Sequence, residues 1–128
     1  MLRKCVLVVD DEPRIGRMLR IKLGLSGYDV KTATSGAEAV ELVRSQKPDI
    51  MLLDLLMPDV TGMDVLDQVR TFSQVPIIVF TGRPEIAQLA SKLGANDYIA
   101  KPFNPDSLVQ KIESVLASSR NSRGHYEP

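Results

Sequence analysis

Five short runs rich in apolar, aromatic or β-branched residues occur along the chain, and longer segments with a helical repeat separate them. The runs cover residues 5–9, 28–32, 50–53, 76–80 and 97–100. The third and fourth runs are continuously apolar, which is typical of strands buried on both faces of a parallel sheet. The segments between the runs have apolar residues at intervals of three and four, which indicates amphipathic helices. The pattern predicts five strands alternating with five helices.

Capping residues and helical periodicity define the helices further. Ser35 and Glu38 form the pattern of a capping box at the start of the second helix, and Asn104 with Pro105 suits the start of the last. The inward face of the first helix is predicted to contain Ile15, Met18, Leu19 and Leu23, and that of the fourth Ile86, Leu89, Ala90 and Leu93.

This alternation predicts an α/β fold, a doubly wound parallel sheet with helices on both faces. Right-handed crossovers leave few topologies, and the strand order 2-1-3-4-5 is the commonest at this size. The first and third strands are then neighbours at the point where the order reverses. Asp10 and Asp11, which follow the first strand, should therefore face Asp54 at the end of the third.

Composition limits the functions that fit this fold. Sixteen basic residues balance sixteen acidic ones, so no basic surface indicates direct nucleic-acid or membrane binding. The single cysteine, Cys5, is compatible with a reducing compartment, and no apolar run approaches the ~18 residues of a membrane span. We expect a cytoplasmic domain over residues 1–117, followed by a polar tail or linker stub over 118–128.

The predicted acidic cluster is suited to a metal ion and a phosphoryl group. Three carboxylates repel one another unless a cation intervenes, and oxygen ligands favour a hard ion, Mg²⁺ with Mn²⁺ as the alternative. Thr81 and Lys101 follow the fourth and fifth strands and add a hydroxyl and an ammonium. Such groups screen and bind a phosphoryl group, which makes Asp54 the candidate nucleophile. The only histidine, His125, lies in the predicted tail, so no Ser-His-Asp arrangement is expected.

Several motifs together resemble the receiver domain of bacterial two-component response regulators, and the match covers residues 4–117. They are Val-Val-Asp10-Asp11, Leu-Asp54-Leu-Leu-Met57-Pro58, Gly62, Thr81-Gly82, Tyr98 and Lys101-Pro102-Phe103. Each motif alone is weak, but the full set in this order is specific. The resemblance implies a flavodoxin-like (CheY-like) fold.

The resemblance also implies roles at the predicted site. Asp54 would accept a phosphoryl group from a phosphohistidine on a sensor histidine kinase or a histidine phosphotransfer protein. Asp11, Asp54 and the backbone carbonyl of Leu56 would bind the metal ion directly, and Asp10 would bind it through water. Lys101 would contact the phosphoryl oxygens.

A conformational switch is implied as well. Thr81 and Tyr98 would change position on phosphorylation and remodel the surface of the fourth helix, fifth strand and fifth helix. That surface would bind an effector or a C-terminal output domain. The protein would catalyse only its own phosphorylation and dephosphorylation. In the family, the positions of Leu56 and Arg83 flank the path of the attacking water, so they bear on the phosphoryl lifetime.

Two other functions fit parts of the pattern. An aspartate-nucleophile phosphatase would normally have an acid two residues after the nucleophile, where this chain has Leu56. A degenerate receiver that serves as a binding module would be expected to lack some of the site residues. All five are present here, namely Asp10, Asp11, Asp54, Thr81 and Lys101.

Overall fold

Strands and helices alternate along the chain as the hydrophobic pattern predicts. The computed structural model describes residues 3–55 and 62–125, with side chains up to residue 118. The strands are β1 (Cys5–Val9), β2 (Asp29–Ala33), β3 (Ile50–Asp54), β4 (Ile77–Thr81) and β5 (Asp97–Ala100). The helices are α1 (Pro13–Leu25), α2 (Gly36–Gln46), α3 (Gly62–Arg70), α4 (Pro84–Lys92) and α5 (Pro105–His125).

All neighbouring strands are parallel, and their order is β2-β1-β3-β4-β5, which confirms the predicted topology. β1 and β3 lie side by side at the sheet centre, with Val9 opposite Leu53. Asp10 directly follows β1, and Asp54, the next residue after Leu53, ends β3. The register therefore places both of them at the same edge of the sheet.

The buried residues of the sheet alternate between two apolar clusters, one on each face. Leu7, Met51 and Val79 point to the face covered by α2, α3 and α4. Their neighbours in sequence point to the other face, where α1 and α5 pack. Because both faces are covered, β3 and β4 are buried along their whole length, as their continuously apolar sequences predict.

The predicted inward faces of two helices are partly wrong. In α4, Ala87 and Ala90 are buried and Ile86 packs against the core, whereas Leu89 and Leu93 are 53% and 45% exposed. Met18 of α1 is also exposed, at 41%. Small residues let a helix lie close to the sheet, so the contact stripe is narrow and larger residues beside it remain at the surface. Periodicity predicts that a helix has an apolar face but not how wide the contact is.

The start of α2 agrees with its predicted capping box, and α5 extends past the predicted end of the domain. Glu38 N–H donates to Ser35 Oγ at 3.2 Å, and the Glu38 carboxylate accepts from Thr34 N–H at 3.0 Å. α5 continues to His125, eight residues beyond the predicted end of the domain at 117, since no glycine or proline interrupts it before Gly124. Within the described residues, none of the helices combines the length and hydropathy needed to cross a lipid bilayer.

Candidate functional site

The carboxylates of Asp10, Asp11 and Asp54, hereafter the acidic site, meet at the carboxyl edge of the sheet. One oxygen from each lies within 4.8 Å of the others. Asp10 and Asp54 are each only 3% exposed, so two of these charges are held almost out of contact with solvent. The strand order brings the three residues together, as the sequence predicts.

Asp10 is only partly satisfied by its surroundings. Its Oδ1 accepts a hydrogen bond from Glu12 N–H at 2.8 Å, but among the described residues its buried Oδ2 has no hydrogen-bond partner. Burial raises the pKa of Asp10, and the charges of Asp54 and Asp11 raise it further. The Glu12 N–H and the Lys101 ammonium act in the opposite direction and do not cancel the rise in pKa.

Lys101 supplies the positive charge that faces the acidic site. Its Nζ lies 3.5 Å from Asp54 Oδ2 and 3.7 Å from Asp10 Oδ2. The ammonium also lies 4.9 Å from the centre of the Phe80 ring, and Phe80 packs edge-on against Phe103. At the backbone, Lys101 N–H donates to Thr81 O at 2.9 Å. The β4–β5 contact and the aromatic ring together hold the lysine over the acids.

The two predicted switch residues lie in different environments. Thr81 ends β4, is 1% exposed, and its Oγ1 accepts a hydrogen bond from Arg83 N–H at 3.1 Å. Tyr98 lies on β5 with 44% of its surface exposed, and the Lys111 Nζ is 5.9 Å from its ring centre. Thr81 follows Phe80, the register partner of Asp54, so it is buried at the carboxyl edge of the sheet, whereas the ring of Tyr98 is at the surface.

Gly62 allows α3 to begin directly against the end of β3. Gly62 N–H donates to Leu55 O at 3.0 Å. A Cβ at this position would collide with the carbonyl oxygen of Asp54 and lie 2.5 Å from Leu55 Cα. Only glycine fits this approach without moving the backbone that carries Asp54.

The residues present fit a hard divalent cation. Carboxylate oxygens from three residues converge, and the buried Asp10 Oδ2 lacks a hydrogen bond within the described part of the chain. Mg²⁺ favours such oxygen ligands and keeps several waters. Leu56, predicted to add its backbone carbonyl, lies with Met57 and Pro58 outside the described residues, so that ligand stays a prediction.

The sequence did not indicate the role of Phe80. It is the last apolar residue of a buried run, and nothing in that run distinguishes a ring that contacts a lysine from one that only fills the core. The Glu12 N–H that binds Asp10 was also not predicted, because a backbone donor has no sequence signature.

The chain belongs to the receiver-domain family of response regulators. Residues 6–113 match the family model described as the response regulator receiver domain. This confirms the family that the motifs resemble, and the observed strand order agrees with it.

Curated relatives include regulators of transcription. The transcriptional regulatory protein KdpE of Mycobacterium tuberculosis is 41% identical over 113 residues, which cover 87% of this chain and 50% of the relative. The probable transcriptional regulator ycf27 of Porphyridium aerugineum is 40% identical over 129 residues, which cover 95% of this chain and 54% of the relative. The chain thus spans about half the length of the curated relatives it matches.

Solved structures share the fold. The chemotaxis protein CheY4 of Vibrio cholerae superposes with a TM-score of 0.84 at 34% identity, over 89% of this chain and 99% of CheY4. NtrX of Brucella abortus gives a TM-score of 0.89 at 28% identity, over 96% of this chain but 29% of NtrX. The same fold therefore makes up nearly all of one solved chain and a part of another, longer one.

Proposed function

We propose that Asp54 accepts a phosphoryl group from a phosphohistidine on a sensor histidine kinase or a histidine phosphotransfer protein. The observation that carries this proposal is the setting of the Asp54 carboxylate. It is nearly buried, lies 3.5 Å from the Lys101 ammonium, and has two further carboxylates within 4.8 Å. Family membership supports the same function.

In the proposed transfer, a carboxylate oxygen of Asp54 attacks the donor phosphorus. An O–P bond forms as the P–N bond to the donor imidazole breaks, and the imidazole nitrogen keeps the electron pair and takes up a proton. In the proposed dephosphorylation, water attacks the phosphorus, the Asp54 O–P bond breaks, and inorganic phosphate leaves. The transfer needs charge neutralisation more than it needs a general base.

Lys101 and Thr81 are the side chains that would stabilise the transferring group. The ammonium of Lys101 already lies against Asp54 and would pair with the phosphoryl oxygens. The Thr81 hydroxyl oxygen accepts the Arg83 N–H, which leaves its own proton available for donation to a phosphoryl oxygen. Both groups would stabilise charge without losing or gaining a proton.

Asp11 and Asp54 would hold Mg²⁺ directly, with the Leu56 carbonyl, and Asp10 would bind it through water. Mn²⁺ is the alternative ion. When bound, the ion would offset the repulsion among the carboxylates and withdraw charge from the phosphoryl oxygens. The pKa of Asp10 is raised mainly by burial, and a nearby cation would stabilise its charged form.

The switch would connect the acidic site with a partner surface on α4, β5 and α5. Donation from Thr81 to a phosphoryl oxygen would draw this residue toward Asp54, and the exposed ring of Tyr98 would turn inward. Relatives named as transcriptional regulators support an output in transcription, through an effector or a C-terminal output domain rather than by direct nucleic-acid binding of this domain. We place the protein in the cytoplasm, and we propose that it acts only on its own phosphorylation.

Intact-mass measurement after incubation with acetyl phosphate and Mg²⁺ tests the proposal. We expect one added phosphoryl group on the wild type and none on Asp54→Asn. Asp67→Asn, on the exposed side of α3, is the matched control and should be modified like the wild type. The absence of any adduct would indicate a receiver that works as a binding module, and sustained hydrolysis of phosphate esters would indicate a phosphatase.

A further inference from the structure

A second concave surface lies at the amino edge of the sheet, opposite the acidic site. It is a cleft of about 490 Å³ between the carboxyl ends of α2 and α3, where β3 and β4 begin. We call it the amino-edge cleft. The residues that matter for its chemistry are Val43, Arg44, Lys47, Phe72, Gln74 and Val75.

The charge of the amino-edge cleft is positive. Neither Arg44 nor Lys47 has an acidic partner within 4.0 Å in the part of the chain that is described. Asp49 also lines the cleft, but its Oδ2 accepts the Cys5 N–H at 2.7 Å and its Oδ1 lies 3.9 Å from Lys4. Asp49 is therefore paired with other groups, and the two cations outnumber the one acid that lines the cleft.

Arg44 is held in a position suited to a carboxylate. Its guanidinium carbon lies 3.9 Å from the centre of the Phe72 ring, so one face of the cation is covered by the aromatic ring. Stacking on a ring leaves the N–H groups in the plane of the guanidinium able to donate, and their fork matches the two oxygens of a carboxylate. Contact with the ring also limits the rotamers of Arg44 before any ligand arrives.

Lys47 is the second cation, and it holds an uncommon backbone conformation. It ends α2 with φ 46°, in the left-handed region where glycine is favoured. A glycine would fit this helix end without strain, whereas a lysine adds a positive charge at the mouth of the cleft. Buried Val43 and Val75 supply an apolar wall beside the two cations.

We propose that the amino-edge cleft binds a small organic carboxylate with a flat apolar body. The carboxylate would pair with Arg44 and Lys47, and the body would pack along Phe72 and Val75. A volume of about 490 Å³ is within the range of small-molecule sites. The cleft and the acidic site share no residue, so this inference goes beyond the phosphoryl-transfer proposal and does not depend on it.

Two-dimensional ¹H–¹⁵N NMR with 2-naphthoate as the probe tests the inference. The titration is done in EDTA, because the metal-free acidic site then repels a carboxylate. We expect saturable shifts of the amides of Val43, Ser73 and Val75. The neutral amide 2-naphthamide should bind at least tenfold more weakly, since it lacks the charge that Arg44 and Lys47 would pair with.

A charge-matched pair of double variants separates a site from a general charge effect. Arg44→Gln with Lys47→Gln should weaken naphthoate binding at least tenfold. Arg14→Gln with Lys92→Gln removes the same net charge elsewhere and should leave binding unchanged, with folding of both checked by thermal unfolding. Non-saturable shifts, equal binding of the amide, or equal weakening in both double variants would overturn the inference. The two cations would then only compensate the negative carboxyl end of α2.

Discussion

The two edges of the sheet use side-chain oxygens in opposite ways. At the amino edge, Asp49 Oδ2 accepts the Cys5 N–H at 2.7 Å, and Asn96 Oδ1 accepts the Ile77 N–H at 2.8 Å. At the carboxyl edge, the buried Asp10 Oδ2 has no hydrogen bond from any described residue and is crowded by other carboxylates. One edge completes the hydrogen bonds of the strands, and the other concentrates unbalanced charge.

This difference indicates that polar groups at the amino edge contribute to stability, whereas those at the carboxyl edge form the candidate functional site. At the amino edge, side-chain oxygens accept the N–H groups of the first residues of β1 and β4. Removing these oxygens would leave the N–H groups without an acceptor and should destabilise the protein. Carboxylates at the acidic site repel one another, so removing one of them should stabilise the metal-free protein. The folded state tolerates the repulsion because the rest of the sheet is well satisfied, and the acidic site is thereby ready for a cation.

The largest expected effect concerns the backbone under the acidic site. Gly62→Ala should lower the free energy of unfolding by about 3 kcal/mol, because the new Cβ meets backbone atoms of Asp54 and Leu55 that cannot move away. Gly24→Ala is the control, since nothing lies within 4 Å of a Cβ there. Urea unfolding measures both. Equal stability of Gly62→Ala and the wild type would show that α3 does not approach β3 this closely.

At the amino edge, Asn96→Ala should lower the free energy of unfolding by about 2 kcal/mol. The substitution leaves the buried Ile77 N–H without an acceptor and also removes a contact with Arg70. Asn96→Asp keeps an acceptor oxygen next to Arg70 and should retain most of the stability. If the alanine and aspartate variants unfold at the same urea concentration, the hydrogen bond at this edge does not contribute as described.

At the acidic site, Asp10→Asn should raise the free energy of unfolding by about 1 kcal/mol at neutral pH in EDTA. The folded-state pKa of Asp10 is raised, chiefly by burial, so the folded protein binds this proton more tightly than the unfolded chain does. The stability from that proton is complete below the ordinary aspartate pKa, about 4, and is lost as pH rises through the folded pKa. Asparagine is neutral at every pH, so the variant keeps this stability as the pH rises.

The gain of Asp10→Asn over the wild type should therefore be near zero at low pH and grow as the pH rises. Mg²⁺ should reduce it, because the ion stabilises the wild type more than the variant. Asp49→Asn at the amino edge is the matched control and should give no gain, since Asp49 is paired with Lys4 and the Cys5 N–H. A gain at Asp49 equal to that at Asp10 would remove the distinction between the two edges.

The smallest expected effect concerns the lifetime of the proposed phosphoryl group. Arg83 pairs with Glu85 at 3.0 Å near the mouth of the site, two residues after Thr81. Arg83→Ala should admit water more readily and shorten the lifetime roughly threefold, which corresponds to less than 1 kcal/mol in the barrier. Loss of the phosphoryl group over time, followed by intact mass, measures it, and a longer lifetime would contradict a shielding role.

The sequence predicted the sheet order and the convergence of Asp10, Asp11 and Asp54 because both follow from buried runs and crossover handedness. It predicted the α2 cap because Ser35 and Glu38 form a local pattern. It could not predict that Leu89 and Leu93 remain exposed, since the width of a helix–sheet contact depends on tertiary packing.

The polar groups of the amino edge were also beyond sequence reasoning. Asn96 lies just before β5 and its oxygen serves the first residue of β4, a contact across 19 positions of the chain. No local pattern distinguishes such an asparagine from an ordinary turn residue. The ring of Phe80 under Lys101 is similar, because its role is visible only once β4 and β5 are paired.

That ring has an entropic consequence for the proposed transfer. A free surface lysine that must order around a phosphoryl group loses about 1.5–2 kcal/mol of rotamer freedom at that moment. The Lys101 ammonium already lies 4.9 Å from the Phe80 ring centre and 3.5 Å from Asp54, so much of this freedom is lost during folding. The donor then meets a cation that has little left to order, and the encounter resembles a reaction between preoriented groups.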